Sequence, residues 1–384
     1  MEICILCSNI YAKEHRVFYK DALTFKKLGK KVTIIAPHSK HFEIDSDVEI
    51  IGLPQKNGYF YRIIRNILLF KNAYFKKADV YYTHELDSLI VGLALKFLKR
   101  KPLVYLCREY YPEKQYYRRG KKLKFLGKIF FFYLVKLYER TFYSMSDVII
   151  CVNKHMASRF EKFKKPVFII PNYPSINFMK SKLLCNVKLP DNTIIYIGGI
   201  NEERNVRKLV KIFSIIRSKY HYNANLAIFG NGDEKYLEEV RSLAQELGVS
   251  SHLIIGKVSY KEVPFLLKQA KIGIFLLKKD NPAHQWGEPV KFFEYAAAGL
   301  PVIMSDLPAK RRLVNLFRNG YVVDPSNEML IAKMVAELLN NPQKMREMGA
   351  SGKKCFHEEY NWEANWPEIQ KLFKVFETDK INDT

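Results

Sequence analysis

The chain predicts an α/β protein of two doubly wound domains, each a mainly parallel sheet with helices on both faces. Three observations carry that prediction. Short β-rich apolar runs alternate with longer helix-like segments along nearly the whole sequence. The runs are continuously apolar, as expected of strands covered on both faces in a parallel sheet. The alternation stops once, over residues 171–191, where PNYPSINFMKSKLLCNVKLPD carries three prolines and no clear period, and then restarts. A length of 384 residues suits two domains of ordinary size. The boundaries are placed at 1–175 and 192–360, with a linker over 176–191 and a helical segment over 361–384.

In chain order, the first-half strand candidates are EICILC (2–7), KVTIIA (31–36), VEIIGL (48–53), DVYYT (79–83), PLVYLC (102–107), DVIICV (147–152) and VFIIP (167–171). Helical stretches fall between them around 13–28, 61–77, 87–99, 121–145 and 153–163. In the second half, strands are expected at TIIYIGG (193–199), NLAIFG (225–230), HLIIG (252–256), IGIFLL (272–277) and PVIMS (301–305), again separated by helices. Ligands of such sheets sit at the carboxyl ends of the strands, so the site is expected in a cleft between the two domains.

Hydrophobic residues make up 48% and charged residues 27% of the chain, which excludes a disordered polymer. The net charge of +24 is unevenly spread: residues 1–180 hold 34 Lys+Arg against 15 Asp+Glu. A basic first half favours a polyanionic partner such as an acidic membrane leaflet, nucleic acid or a phosphate-rich ligand. The six cysteines are scattered through apolar runs. Cys4-x-x-Cys7 has no second pair at zinc-site spacing, so buried free thiols in a reducing compartment are expected. MEICILCSNI lacks the basic n-region of a signal peptide. No window approaches the ~18 apolar residues of a membrane span, so the protein is expected to be soluble or peripheral.

Several residues suit chemistry at strand ends. TIIYIGGINEERN places Gly198 and Gly199 after a strand, with Arg204 opening the next helix. Glycines there admit close approach of a ligand, and a helix N-terminus beside an Arg suits a phosphate; a plain strand-to-helix turn would also use them. The sequence has no G-x-G-x-x-G after the first strand and no GxxxxGK[ST], which disfavours a nicotinamide enzyme and a P-loop NTPase. In EPVKFFEYAAAGLPVIMSD (288–306), a helix starting near Pro289 puts Lys291 and Glu294 on one side. There the helix N-terminus and Lys291 would meet a phosphate, and Glu294 could accept both hydroxyls of a ribose. The alternative is a Lys/Glu pair on a solvated face. Ala296, Ala297, Ala298 and Gly299 let that helix lie close to the sheet.

The order strand-GG-x4-R, IFGNGDE, HLIIGKVSYKEV, IGIFLL and P-x-K-x-x-E-Y-A-A-A-G-x-P-V-I closely resembles the nucleotide-sugar domain of GT-B glycosyltransferases, particularly retaining family 4. HRVFYKDALTFKKLGKKVTIIA (15–36) and VIICVNKHMASRF…IIPNYP (148–174) resemble that family's first domain. NWEANWPEIQKLFKVFE (361–377) resembles its C-terminal helix, which crosses back onto that domain. The resemblance implies that Arg204 and Lys291 hold the donor pyrophosphate, that Glu294 holds the ribose, and that the Gly256-Lys257-Val258 turn sits beside the base. Arg16 and Glu109 fall on the acceptor side. The sequence departs from the family twice. The Glu that many relatives carry eight positions before the ribose Glu is Trp286 here, leaving Glu288 and His284 as nearby candidates to meet the sugar. In VYLCREYYPE (104–113) the family's His is Arg108, which supplies charge but shuttles no proton at neutral pH. His84 and Glu85, after strand DVYYT, are substitute candidates, although a lone histidine at a strand end is often structural.

The function implied is transfer of a sugar from a UDP- or GDP-sugar to a glycan or polyprenyl-pyrophosphate-linked acceptor, with retention, in bacterial surface polysaccharide synthesis. Catalytic candidates are Glu288, His84 and Arg108. Arg204, Lys291 and the helix N-terminus would stabilise the leaving diphosphate. No DxD stands between the strands, so no cofactor or metal is expected.

Two basic aromatic stretches are notable: YFYRIIRNILLFKNAYFKK (59–77), with five Lys/Arg and no acid, and KQYYRRGKKLKFLGKIFFFYL (114–134), with seven basic residues before 129. Such helices bind anionic lipid headgroups, although part of their apolar surface is expected to be core. An anionic membrane surface is therefore an expected partner, on the cytoplasmic side of the plasma membrane. The alternatives are a nucleotide-sugar epimerase or phosphorylase on the same fold, or a basic nucleic-acid-binding protein. No recognised nucleic-acid motif accompanies the basic stretches, so no nucleic acid is expected.

Overall fold

The computed structural model describes residues 1–56, 58–111, 125–180, 186–220 and 222–378. The chain divides into two units, one of Met1–Asn172 with Asn365–Thr384 and one of Tyr173–Ala364.

The first unit is built on a sheet ordered β3-β4-β2-β1-β5-β6-β7-β8. Its strands are β1 (Glu2–Leu6), β2 (Lys31–Pro37), β3 (Phe42–Asp45), β4 (Val48–Leu53), β5 (Val80–Thr83), β6 (Leu103–Cys107), β7 (Val148–Cys151) and β8 (Val167–Ile169). All neighbours pair in parallel except β3, which pairs antiparallel with β4. The sequence gives no sign of β3, because Phe42 and Ile44 are exposed and leave no apolar run. Its turn is made by Ser46 and Asp47, both with positive φ, the geometry of a tight two-residue hairpin. The helices α1 (Leu23–Lys27), α2 (Tyr59–Phe75), α3 (Leu86–Lys99) and α4 (Phe125–Ser144) connect the strands. α1 continues a π-helical segment, His15–Ala22, a geometry that often marks functional positions. Residues 114–124, the most basic part of the second aromatic stretch, lie outside the described residues.

In the second unit the sheet order is β11-β10-β9-β12-β13-β14, all parallel. It uses β9 (Thr193–Ile197), β10 (Asn225–Phe229), β11 (Leu253–Gly256), β12 (Ile272–Phe275), β13 (Val302–Ser305) and β14 (Gly320–Val323). The helices are α5 (Val206–Ser218), α6 (Glu234–Glu246), α7 (Val263–Gln269), α8 (Val290–Ala298), α9 (Pro308–Phe317), α10 (Glu328–Leu339) and α11 (Pro342–Glu358). Strand order reverses between β9 and β12, which opens a crevice at their carboxyl ends. Residues read as linker are packed into this unit: Phe178 lies against Tyr260, with ring centroids 5.4 Å apart, and the Leu189 N–H donates to Gln269 Oε1 at 2.9 Å. Their prolines break helical and strand periods without breaking burial.

The last helix, α12 (Trp366–Thr378), belongs to the first unit. Phe373 meets Phe25 edge-on at 5.0 Å, and Lys30 pairs with Glu377.

Candidate active site

Two clusters of charged side chains stand at strand ends, one in each unit, and their construction differs. In the second unit, β9 runs into Gly198 and Gly199. Gly198 has a φ of +149°, and a Cβ there would collide with the Lys291 ammonium. The glycine thus provides the room in which the lysine sits. The Tyr196 hydroxyl donates to the Gly199 carbonyl at 2.6 Å and fixes the turn.

α8 starts immediately after Pro289, which supplies no side-chain cap, so Lys291 lies in the first turn. Proline at this position sets the entry angle; its carbonyl takes the Phe292 N–H at 3.0 Å, which leaves the Val290 and Lys291 N–H groups to a ligand. The helix ends where Gly299, at φ +73°, adopts the left-handed conformation that glycine favours. Tyr295 holds it to the sheet, accepting the Ile197 N–H at 3.2 Å.

Lys291 is half-buried over two rings, its Nζ 4.4 Å from the Phe275 centroid and 4.9 Å from that of Tyr196. The Arg204 guanidinium shares Phe275, at 5.6 Å. Arg204 ends a short 3-10 turn, Glu202–Arg204, ahead of α5 and not in it; its N–H is held by Asn201 Oδ1 at 3.1 Å. Burial, then the Arg204 charge, brings the Lys291 pKa down to about 7, against a smaller opposing pull from Glu294. Among the described residues no carboxylate lies within ion-pair distance of Lys291 or Arg204.

Glu294, one turn further along, is buried. Burial, then the charge of the Glu294 carboxylate, pushes the Tyr260 phenol well above its usual range. Gly256 closes β11 and accepts the Gly230 N–H at 2.9 Å. Val258 is half-buried and packs on the core of this unit.

The sequence gives no hint of Lys310, on α9. Its ammonium is buried and donates to the backbone carbonyls of His284 and Gly287, the latter at 2.7 Å. It thereby fixes the loop between β12 and α8. Burial, then Arg204, lowers its pKa to about 7, and Glu288 pulls the other way. The same loop is tied back by the Lys278 N–H to the Glu203 carbonyl at 3.1 Å and by His284 Nδ1 to the Lys278 carbonyl at 3.0 Å. Glu288 is ion-paired with Arg312, while burial raises its pKa. Trp286 ends a one-turn helix, Ala283–Trp286, and is exposed.

In the first unit the structure brings Arg16, His84 and Arg108 together around two acids the sequence reading passed over. Arg16 Nε pairs with Asp21 Oδ1 at 2.9 Å, and its Nη1 donates to the carbonyls of Ile170 and Pro171. Arg108 Nη2 pairs with Glu14 Oε1 at 2.9 Å. Glu14 also caps the π-helical segment by accepting the N–H groups of Arg16 and Val17. His84 is fully buried, with Nε2 3.5 Å from Asp21 Oδ2. Burial and the charges of Arg108 and Arg16 hold it neutral, well below its ordinary pKa. Glu85 accepts the N–H groups of Asn9 and Ile10, at 2.9 and 2.6 Å, and so fixes the loop after β1. Glu109 is half-buried after β6 and outside these pairs; its carbonyl accepts from the Cys107 thiol. Among the described residues no three His, Cys, Asp or Glu side chains form a group able to hold a metal ion.

Two family models match the chain, Glycosyltransferase Family 4 over residues 16–173 and Glycosyl transferases group 1 over 185–355. The chain is a GT-B glycosyltransferase. This glycosyltransferase is 27% identical over 190 residues to an uncharacterized glycosyltransferase of Haemophilus influenzae, covering 49% of the chain and 50% of the relative. It is 26% identical over 233 residues to a GDP-mannose-dependent alpha-(1-6)-phosphatidylinositol monomannoside mannosyltransferase of Mycobacterium tuberculosis, covering 57% and 59%. The matched part thus spans little more than half the length of these relatives. A match to the capsular polysaccharide biosynthesis glycosyltransferase CapM of Staphylococcus aureus, 20% identical, covers 93% of the chain and 88% of CapM.

The same fold is found in sucrose-phosphate synthase of Thermosynechococcus elongatus, at a TM-score of 0.76 and 15% identity over 98% of this chain and 99% of that one. It is also found in Anabaena HepE in complex with UDP and glucose, at 0.70 and 14% over 98% and 100%. WaaG, a glycosyltransferase involved in lipopolysaccharide biosynthesis, matches at 0.68 and 15% over 96% and 98%.

Proposed function

We propose that this enzyme transfers a sugar from a nucleotide-diphosphosugar, a UDP- or GDP-sugar, to a glycan or lipid-linked oligosaccharide acceptor in bacterial surface polysaccharide synthesis. One observation carries the reading: Arg204 and Lys291 converge on Phe275 beside the uncapped start of α8, with Glu294 buried one turn on. Two cations without a carboxylate partner suit a diphosphate, whose charge rises as the glycosidic bond breaks. Preorganised donors at that position lower the barrier without reorganising during the reaction. Glu294 would accept the ribose hydroxyls.

The relatives support the donor class, since one is GDP-mannose-dependent and HepE was solved with UDP. The names of CapM and WaaG support the surface-polysaccharide setting. We assign the leaving-group charge to these side chains and the helix terminus, with retention at the anomeric carbon. Transfer is therefore expected to survive EDTA.

Calorimetric titration with UDP and with GDP tests the donor site. One of the two is expected to bind, and Glu294→Ala to weaken it by about tenfold or more, in line with a lost charged hydrogen bond. Equal affinity in the variant would remove Glu294 from the site, and binding of neither diphosphate would remove the reading.

A further inference from the structure

The apolar surface of this protein is concentrated on three helices of the first unit. Of 21 large hydrophobic side chains exposed among the described residues, 13 lie on α2, α3 and α4, against four in the whole second unit. On α2 they are Tyr59, Phe60, Ile63, Ile67 and Phe75; on α3, Ile90, Phe97 and Leu98; on α4, Ile129, Phe130, Tyr133, Leu134 and Leu137. At 100° per residue each set falls within about half a turn, on one side of its helix. α3 packs against both α2 and α4, so the three are neighbours. Phe60 is 69%, Phe75 79% and Phe130 71% exposed. α2 turns Arg65, Leu69 and Ala73 inward and leaves Phe60 and Phe75 outside, and contiguous exposed apolar surface marks an interaction site.

The charges on these helices identify the partner. Lys71, Lys99, Arg100, Lys101, Lys136 and Arg140, on or just beyond the three helices, are exposed. The two acids within the helices are already neutralised: Asp87 is ion-paired with Arg62, and the buried Glu139 pairs with Arg159 at 2.6 Å. Exposed aliphatics beside unopposed cations match a bilayer, with side chains entering the headgroup and acyl boundary and ammonium groups meeting lipid phosphates. A second copy of the chain would bring the same positive face against itself. Nucleic acid would satisfy the cations but has no use for Ile63, Ile67, Leu98, Leu134 and Leu137.

We infer that the α2–α3–α4 face is a membrane-docking surface whose partner is an anionic phospholipid leaflet, bound through inserted aromatic and aliphatic side chains as well as charge. Among the described residues no helix is long and apolar enough to cross a membrane, so the contact is with one surface. The inference extends the acceptor side of the proposed reaction, because a lipid-linked acceptor presents its glycan at such a surface. It stands independently of the donor assignment.

The test is co-sedimentation of the full chain with phosphatidylcholine vesicles, with and without phosphatidylglycerol. It compares the wild type, an apolar variant (Phe60→Ser with Phe130→Ser) and a charge variant (Lys99→Glu with Lys136→Glu). All four positions are exposed, and UDP or GDP affinity measured in parallel reports folding and the donor site separately. The wild type is expected to bind the phosphatidylglycerol vesicles, and the apolar variant to bind them about tenfold more weakly even at high salt, where charge is screened. The charge variant is expected to lose binding chiefly at low salt. No sedimentation with either vesicle, or equal binding by the wild type and apolar variant, overturns the inference. So does a wild-type dimer in analytical ultracentrifugation that the apolar variant abolishes, since the face would then pair copies.

Discussion

Both units gather cations at the carboxyl ends of their strands, but only one of them balances the charge. Around the π-helical segment of the first unit, Arg16 has Asp21 and Arg108 has Glu14, each at 2.9 Å. At the start of α8, Lys291 and Arg204 have aromatic faces and no carboxylate within ion-pair distance among the described residues. A buried ion pair whose partners are both present holds structure, and removing one partner is costly. Cations gathered without an acid leave an electrostatic debt that a bound anion cancels. The first arrangement therefore reads as framework and the second as a receptor.

That contrast can be broken at its strongest point by Asp21→Ala, which would strand the Arg16 charge. Loss of one partner of a buried pair is expected to cost about 3–5 kcal/mol of stability, visible as an earlier urea transition of the first unit. The nucleoside diphosphate affinity of the folded fraction should stay unchanged. A variant as stable as the wild type would show that the pair is not framework.

Lys291→Met sharpens the other side. Loss of a preorganised charged donor is expected to weaken nucleoside diphosphate binding by about a hundredfold. Thermal stability should hold or rise, because the variant removes a half-buried charge that has no carboxylate partner. A clear drop in the melting temperature with unchanged affinity would make Lys291 a structural residue and erase the contrast.

The smallest expected effect concerns pH. Lys291 and Lys310 have pKa values of about 7, lowered by burial and by Arg204 and raised in part by Glu294 and Glu288 respectively. A bound diphosphate favours the charged form, so binding above pH 7 takes up protons. Affinity should be level below that pH, apart from the ligand's own titration. Above it, affinity should fall by up to about tenfold per pH unit for each proton taken up, until the pKa of the bound state is reached. Lys310→Met should flatten part of that slope, and Lys291→Met the rest. The first unit adds no step near neutrality, since its arginines do not titrate there and His84 is already neutral. An affinity independent of pH between 7 and 9 would mean that neither lysine gains a proton on binding.

Much of this was legible in the residues because it depends on local pattern. Continuous apolar runs announced the parallel strands, and Pro289 followed by Lys291 and Glu294 announced a helix start with two polar groups on one side. Position in the family pattern pointed to Arg204, although the residue sits in a 3-10 turn and not in the helix proper. Lys310 was invisible, because PAKRRLV reads as an ordinary basic amphipathic helix and only packing buries one of its three cations. Asp21 and Glu14 were passed over for a similar reason: in EHRVFYKDALTF (14–25) nothing marks which charges turn inward, and the π-helical winding changes the side they face. β3 was missed because its side chains are not buried.

The sequence alone determined what repeats along the chain: two α/β sheets, the break near residue 171, the excess of basic charge in the first half, and the motif that places this chain among GT-B glycosyltransferases. Those features follow from periodicity and composition, which act between near neighbours. Only the tertiary structure decided which cations keep a partner and which do not, and that Phe60, Phe75, Phe97 and Phe130 face outward while Tyr143 joins the core. The physical reason is that burial and ion pairing depend on distances between segments remote in sequence, as Arg108 and Glu14 are, and a one-dimensional pattern does not contain those distances.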